Sequence, residues 1–192
     1  MKKIISTLLA VTLVIGMMLT LASCGVKQPK ASKGYDLYEN DDLSFAYPQE
    51  WDMEKGSITL IYDPITGNNI NIVYEENTDE YENLTAKEFT DLMQTSLVGI
   101  SGSIINVYEK KYETVNAEVD TFTYSVKLGE NISYQTMIIA TIEERIYLIT
   151  VTSPTKKEME SYVQTILDTF YVKDNRTFFE KVSDTIKEKI NK

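Results

Sequence analysis

Residues 119–128, 132–142 and 146–152 are three long runs of β-branched and aromatic side chains, parted by only a few polar residues each. The connectors are Gly129-Glu130-Asn131 and Glu143-Glu144-Arg145. Nothing else in the chain constrains the fold as tightly. A parallel crossover needs a dozen residues or more, whereas links this short close antiparallel pairs. With residues 104–108 ahead of them, these runs predict an antiparallel meander.

Earlier strands carry the same signature. Leu43-Ser44-Phe45-Ala46-Tyr47 alternates with period two and stops at Pro48, as proline requires in a sheet. Residues 58–62 and 69–74 flank Asp63-Pro64-Ile65-Thr66-Gly67-Asn68, whose turn-forming residues predict a hairpin with a longer loop. Three helices interrupt or follow the strands. Thr85-Ala86-Lys87-Glu88 and Thr155-Lys156-Lys157-Glu158 both read as capping boxes. Phe89, Leu92, Met93 and Leu97 follow the first at helical spacing, giving roughly four turns. Met159, Tyr162, Val163, Ile166, Leu167 and Phe170 follow the second as one apolar stripe, suited to one sheet face. A third helix opens at Thr177 and lines up Phe179, Val182, Ile186 and Ile190. The predicted class is α+β, with a central antiparallel sheet covered by helices and an extra C-terminal helix.

The N-terminus is an export signal. Lys2 and Lys3 precede an uncharged apolar run from Ile4 to Leu21, followed by Ala22, Ser23 and Cys24. A positive start, an apolar core and a small-residue cleavage site mark secretion. Leu21-Ala22-Ser23-Cys24 resembles the lipobox of bacterial lipoproteins. That resemblance implies acylation of the Cys24 thiol and cleavage just before it, leaving Cys24 as the first mature residue. Two or more acyl chains hold a protein firmly where one would not. The competing reading is an uncleaved anchor, since residues 4–23 are just long enough to span a bilayer. Residues 25–34 read as a polar, flexible tether whose ten residues span about 17 Å. The expected location is the extracytoplasmic face of the cell membrane. A composition rich in Lys, Asn and Ile suggests a low-GC Gram-positive source.

Composition narrows the chemistry. The chain of 192 residues has a formal charge of −10, and losing Lys2 and Lys3 with the signal makes it two units more negative. Phosphate repulsion then argues against nucleic acid as a partner. The sequence contains no histidine and a single cysteine. Ser-His-Asp and Cys-His catalysis, a histidine base, a disulfide and a Cys/His zinc site are all excluded. Only carboxylate, Lys or Tyr chemistry remains, so the expectation is no enzyme and no cofactor.

Leu43-Ser44-Phe45-Ala46-Tyr47-Pro48-Gln49-Glu50-Trp51 resembles the opening motif of the PsbP-like family, an amphipathic strand followed by Pro and then Trp. Residues 146–152 and Ile166-Leu167-Asp168-Thr169-Phe170-Tyr171-Val172 resemble that family's last strand, helix and exit. The resemblance spans residues 35–172 and implies an α/β/α sandwich in an accessory or assembly protein. It divides the chain into a signal at 1–23, a lipidated Cys and tether at 24–34, the domain at 35–172 and a C-terminal helix at 173–192.

Candidate sites are few. Glu75, Glu76, Asp79, Glu80 and Glu82 crowd one loop, and oxygen-rich clusters bind Ca²⁺ or Mn²⁺. Their spacing lacks the order of a calcium loop, so a solvated acidic loop is the simpler reading. Trp51 after Pro48 reads as a core anchor. Residues 177–191 sum to zero charge and lack the basic face of a membrane-surface helix. Docking on their own domain is the first expectation and a partner interface the second. The leading functional expectation is a lipid-anchored module that binds or assembles another envelope protein. The alternative is a lipoprotein that binds a small ligand or divalent metal.

Overall fold

A computed structural model of the chain describes residues 28–76, 84–96 and 102–173. Within them, ten strands and two helices form an α+β domain. A seven-stranded sheet runs in the order β3 (Asp52–Glu54), β4 (Thr59–Tyr62), β5 (Asn69–Glu76), β9 (Arg145–Ser153), β8 (Asn131–Ile142), β7 (Glu118–Leu128), β6 (Gly102–Glu113). Every neighbouring pair is antiparallel. The predicted meander is β6 to β9, and the predicted hairpin pairs Tyr62 with Asn69.

A second sheet of three strands, β1 (Tyr35–Glu39), β2 (Leu43–Pro48) and β10 (Tyr171–Val172), has β2 at its centre. This division is not visible in the sequence. β2 has a buried residue at five successive positions, because it is covered on both sides. β1 mixes charges among its apolar residues and β3 is three residues long, so neither announces itself as a strand.

Side chains alternate across a pleated strand, and the alternation divides the core in two. On one face Ile70, Ile72, Ile138, Ile149 and Val151 pack with Leu43 and Phe45 of β2 and with α2 (Lys156–Thr169). That helix buries Met159, Val163, Ile166 and Leu167, the stripe expected from spacing. Trp51 joins the same core, edge-on to Tyr162 with ring centroids 4.7 Å apart. On the other face Phe122, Tyr124, Met137 and Ile139 pack under α1 (Ala86–Ser96). Phe89 of α1 stacks on Phe122 at 4.3 Å and 2°.

Both capping boxes form. Thr85 N and Oγ1 donate to Glu88 Oε2 at 2.9 and 2.7 Å, and Thr155 Oγ1 accepts from Glu158 N while donating to its carboxylate at 2.7 Å. Gln94 of α1 bridges to the edge strand, donating to Gly102 O and accepting from Ile104 N. The expected third helix lies outside the described residues.

Register places the turns at two ends of the domain. At one end lie the β6–β7 turn, the β8–β9 turn and the last residues of β5, with Glu76 opposite Arg145. At the other end are the β7–β8 turn and the β4–β5 loop, with Asn69 opposite Thr152.

Candidate functional site

A connected group of charged and polar side chains sits at the first of these ends. It begins with a local device. Asn40 Oδ1 accepts from the backbone N of Asp42 and Leu43, both at 2.9 Å, a side-chain turn typical of Asn. That turn joins β1 to β2 and aims the Asp42 carboxylate across to β9. There Oδ2 accepts from Arg145 Nη1 at 2.7 Å and from the Tyr147 hydroxyl at 2.5 Å. Asn40 Nδ2 lies 3.3 Å from the hydroxyls of both Tyr38 and Tyr147. Tyr74, opposite Tyr147 in the register, lays its exposed ring 5.6 Å from that of Tyr147, with the Arg145 guanidinium 5.6 Å from its face. The last described residue, Lys173, lies here. Lys173 N donates to Asp42 O at 2.7 Å, and Nζ reaches Glu39 Oε1 at 2.6 Å and Asn40 O.

The electrostatics favour a closed clamp over a reactive centre. Burial opposes ionisation of Asp42, but hydrogen bonds from Tyr147 and Arg145 outweigh it and hold the carboxyl below its usual range. Burial first, then the neighbouring Asp42 carboxylate, pushes the Tyr147 phenol well above its usual range. A phenol so held keeps its proton and is no base at neutral pH. The Lys173 ammonium lowers Glu39. Each of these charges faces an internal partner: the Asp42 bonds tie the small sheet to the large one, and Glu39 with Lys173 closes the small sheet. Sequence reasoning missed the cluster because Asp42 and Arg145 are 103 positions apart. No local motif joins them.

The acidic loop does not assemble into a site within the described residues. Glu75 and Glu76 are exposed at the end of β5. As strand neighbours they point to opposite faces. Asp79, Glu80 and Glu82 lie outside the described residues, as do Leu21, Ala22, Ser23 and Cys24. Among the described residues no three acidic or sulfur ligands converge, and no helix is long and apolar enough to cross a membrane.

An open groove of about 410 Å³ is lined by Leu84, Thr85, Glu109, Lys111, Asp120 and Phe122, among others. It borders the N-terminus of α1, where backbone N–H groups favour anions. Here those donors are engaged: Ala86 N binds Glu109 and Glu88 N binds Thr85. Lys111 lies 3.5 Å from Glu118 and 3.4 Å from Asp120. Of its two lysines, Lys111 is thus paired with carboxylates and Lys110 lies 4.1 Å from the ring centre of Tyr112.

No protein-family model and no curated protein matches the sequence. Solved structures do. The cyanobacterial PsbP protein, CyanoP, of Synechocystis sp. PCC 6803 superposes with a TM-score of 0.55 at 16% identity, over 79% of this chain and 98% of its own. LpqN, involved in cell envelope biogenesis of Mycobacterium tuberculosis, gives 0.43 at 8% identity, over 73% and 91%. A protein of Bacteroides thetaiotaomicron gives 0.40 at 15% identity, and this chain spans 46% of its length. The CyanoP superposition, with the sheet order above, identifies the domain's fold as PsbP-like.

Proposed function

We propose that this chain is a lipid-anchored, non-enzymatic accessory module on the extracytoplasmic face of a Gram-positive cell membrane. It holds a PsbP-like domain close to the bilayer, where it binds or helps assemble another envelope protein. The observation that carries this reading is the run Leu21-Ala22-Ser23-Cys24, placed four residues before the domain takes hold of the chain at Gln28. The fold and the closed Asp42–Arg145–Tyr147 clamp are in keeping with it, since the clamp's polar groups are engaged with one another. The absence of histidine from the whole sequence limits the chemistry further.

The test is a Cys24→Ala chain expressed in a Gram-positive host beside the parent. The parent is expected to incorporate labelled palmitate and sediment with membranes, and the variant to do neither. A variant that still sediments in full would show that an uncleaved N-terminal segment or a bound partner holds the protein there. Crosslinking in cells followed by mass spectrometry of the parent then names the envelope partner.

A further inference from the structure

The stretch that reads as a free tether makes specific contacts with the domain. Gln28 Nε2 donates to Ser44 Oγ at 3.1 Å. The same side chain also reaches the Glu39 carboxylate. Ser44 is fully buried in β2, and Glu39 is the last residue of β1. Further along, Tyr35 N donates to Ser32 O and Gln49 N to Gly34 O. Gly34 thus sits beside the far end of β2, while Gln28 sits beside its beginning, where Ser44 pairs with Glu39 and Tyr171. Residues 28–34 double back along the small sheet. They return the chain to the end occupied by the Asn40–Asp42 turn and by Lys173.

We propose that the domain stands on its anchor in one orientation, with the end formed by residues 40–42, 143–145 and 173 against the lipid surface. The β7–β8 turn and the 63–68 loop then point away from the membrane. This rests on the lipid-anchor reading of Cys24. A coil leaving from Gly34 would give the anchor ten residues of slack and no preferred end. Clasped at Gln28, only three residues separate anchor from domain, a reach over four residue steps of at most about 14 Å. The opposite end lies about 40 Å further along the twelve-residue strand β8. So short a link cannot span that distance, and the clasp selects the end. Glu39, Asp41, Asp42, Glu143 and Glu144 outnumber Arg145 and Lys173 there, so the anchor, and not charge, holds this end to an anionic membrane. The outward end carries the exposed apolar side chains Ile65, Leu128 and Ile132.

The acylated full-length protein tests this in phosphatidylcholine vesicles containing a nitroxide-headgroup lipid. A fluorophore is placed through Glu144→Cys in one preparation and Glu130→Cys in another, both in exposed turns. Sites about 40 Å apart along the strand axis are expected to differ at least about twofold in quenching, with position 144 the stronger. Adding Gln28→Ala, an exposed position, should bring the two signals together while the protein stays on the vesicles. Equal or reversed quenching in the intact tether overturns the orientation. A difference unmoved by Gln28→Ala overturns the clasp as its cause. Protein recovered in the supernatant overturns the anchor reading beneath both.

Discussion

Replacing Asp42 with Ala should destabilise the domain more than any other single change at its charged end. The carboxylate is 13% exposed and takes two short hydrogen bonds, from Tyr147 at 2.5 Å and Arg145 at 2.7 Å. A hydrogen bond to a charged group is worth about 1.5–3 kcal/mol, and the phenol bond falls in that range. The Arg145 side chain is half exposed, so its contribution is about 0–1 kcal/mol after solvent screening. Asn40 Nδ2 already points at the Tyr147 oxygen; it cannot accept the phenol proton, which is left without its acceptor. The sum is about 1.5–4 kcal/mol, or roughly 5–15 °C in melting temperature for a domain of this size. The assay is thermal and urea unfolding of the chain from residue 24 with Cys24→Ser, followed by circular dichroism. The pH dependence follows from the lowered Asp42 carboxyl. A depressed folded-state pKa gives stability that is present above the unfolded value, about 3.9, and lost as pH falls through the folded value. The gap between parent and Asp42→Ala should therefore be full at pH 7 and narrow below about pH 4. Arg145→Met should cost less than Asp42→Ala at every pH. A gap under about 1 kcal/mol at pH 7, or an Arg145→Met cost equal to that of Asp42→Ala, would refute the clamp as the link between the sheets.

Phe89→Ala should cost about 3–5 kcal/mol by urea unfolding, because Phe89 is 1% exposed and carries the contact of α1 with Phe122 and Tyr124. A loss below about 1 kcal/mol would mean that α1 is not held by this ring. Thr155→Ala removes the N-cap of α2 and should lower stability by about 1 kcal/mol, with Thr155→Ser restoring most of it. Millimolar Ca²⁺ should leave both the melting temperature and Trp51 fluorescence unchanged, and Glu75→Gln with Glu76→Gln should do the same. A saturable calcium shift abolished by those substitutions would reinstate the acidic loop as a metal site.

Much of the fold is legible in the sequence because its signals are local. The polar connectors at 129–131 and 143–145 leave no room for a crossover. The stripe from Met159 to Phe170 and the Thr–Glu capping boxes at 85–88 and 155–158 depend on residues within a few turns of one another. The charged end is a different case. Asp42, Arg145, Tyr147 and Lys173 are ordinary surface residue types with no shared spacing. Only the turn at Asn40 and the packing of the small sheet against β9 bring them within hydrogen-bond reach.

By itself the sequence determined an antiparallel α+β domain, because strand alternation, helical periodicity, capping and connector length are properties of neighbouring residues. Its composition also ruled out histidine chemistry. The tertiary structure alone decided that β1, β2 and β10 separate into a second sheet, since β1 carries little apolar pattern and β10 is two residues long. It alone decided that Gln28 folds back onto Ser44 and that Lys173 lies beside Asp42. Those contacts join residues far apart in the chain, and their geometry exists only once both sheets are packed.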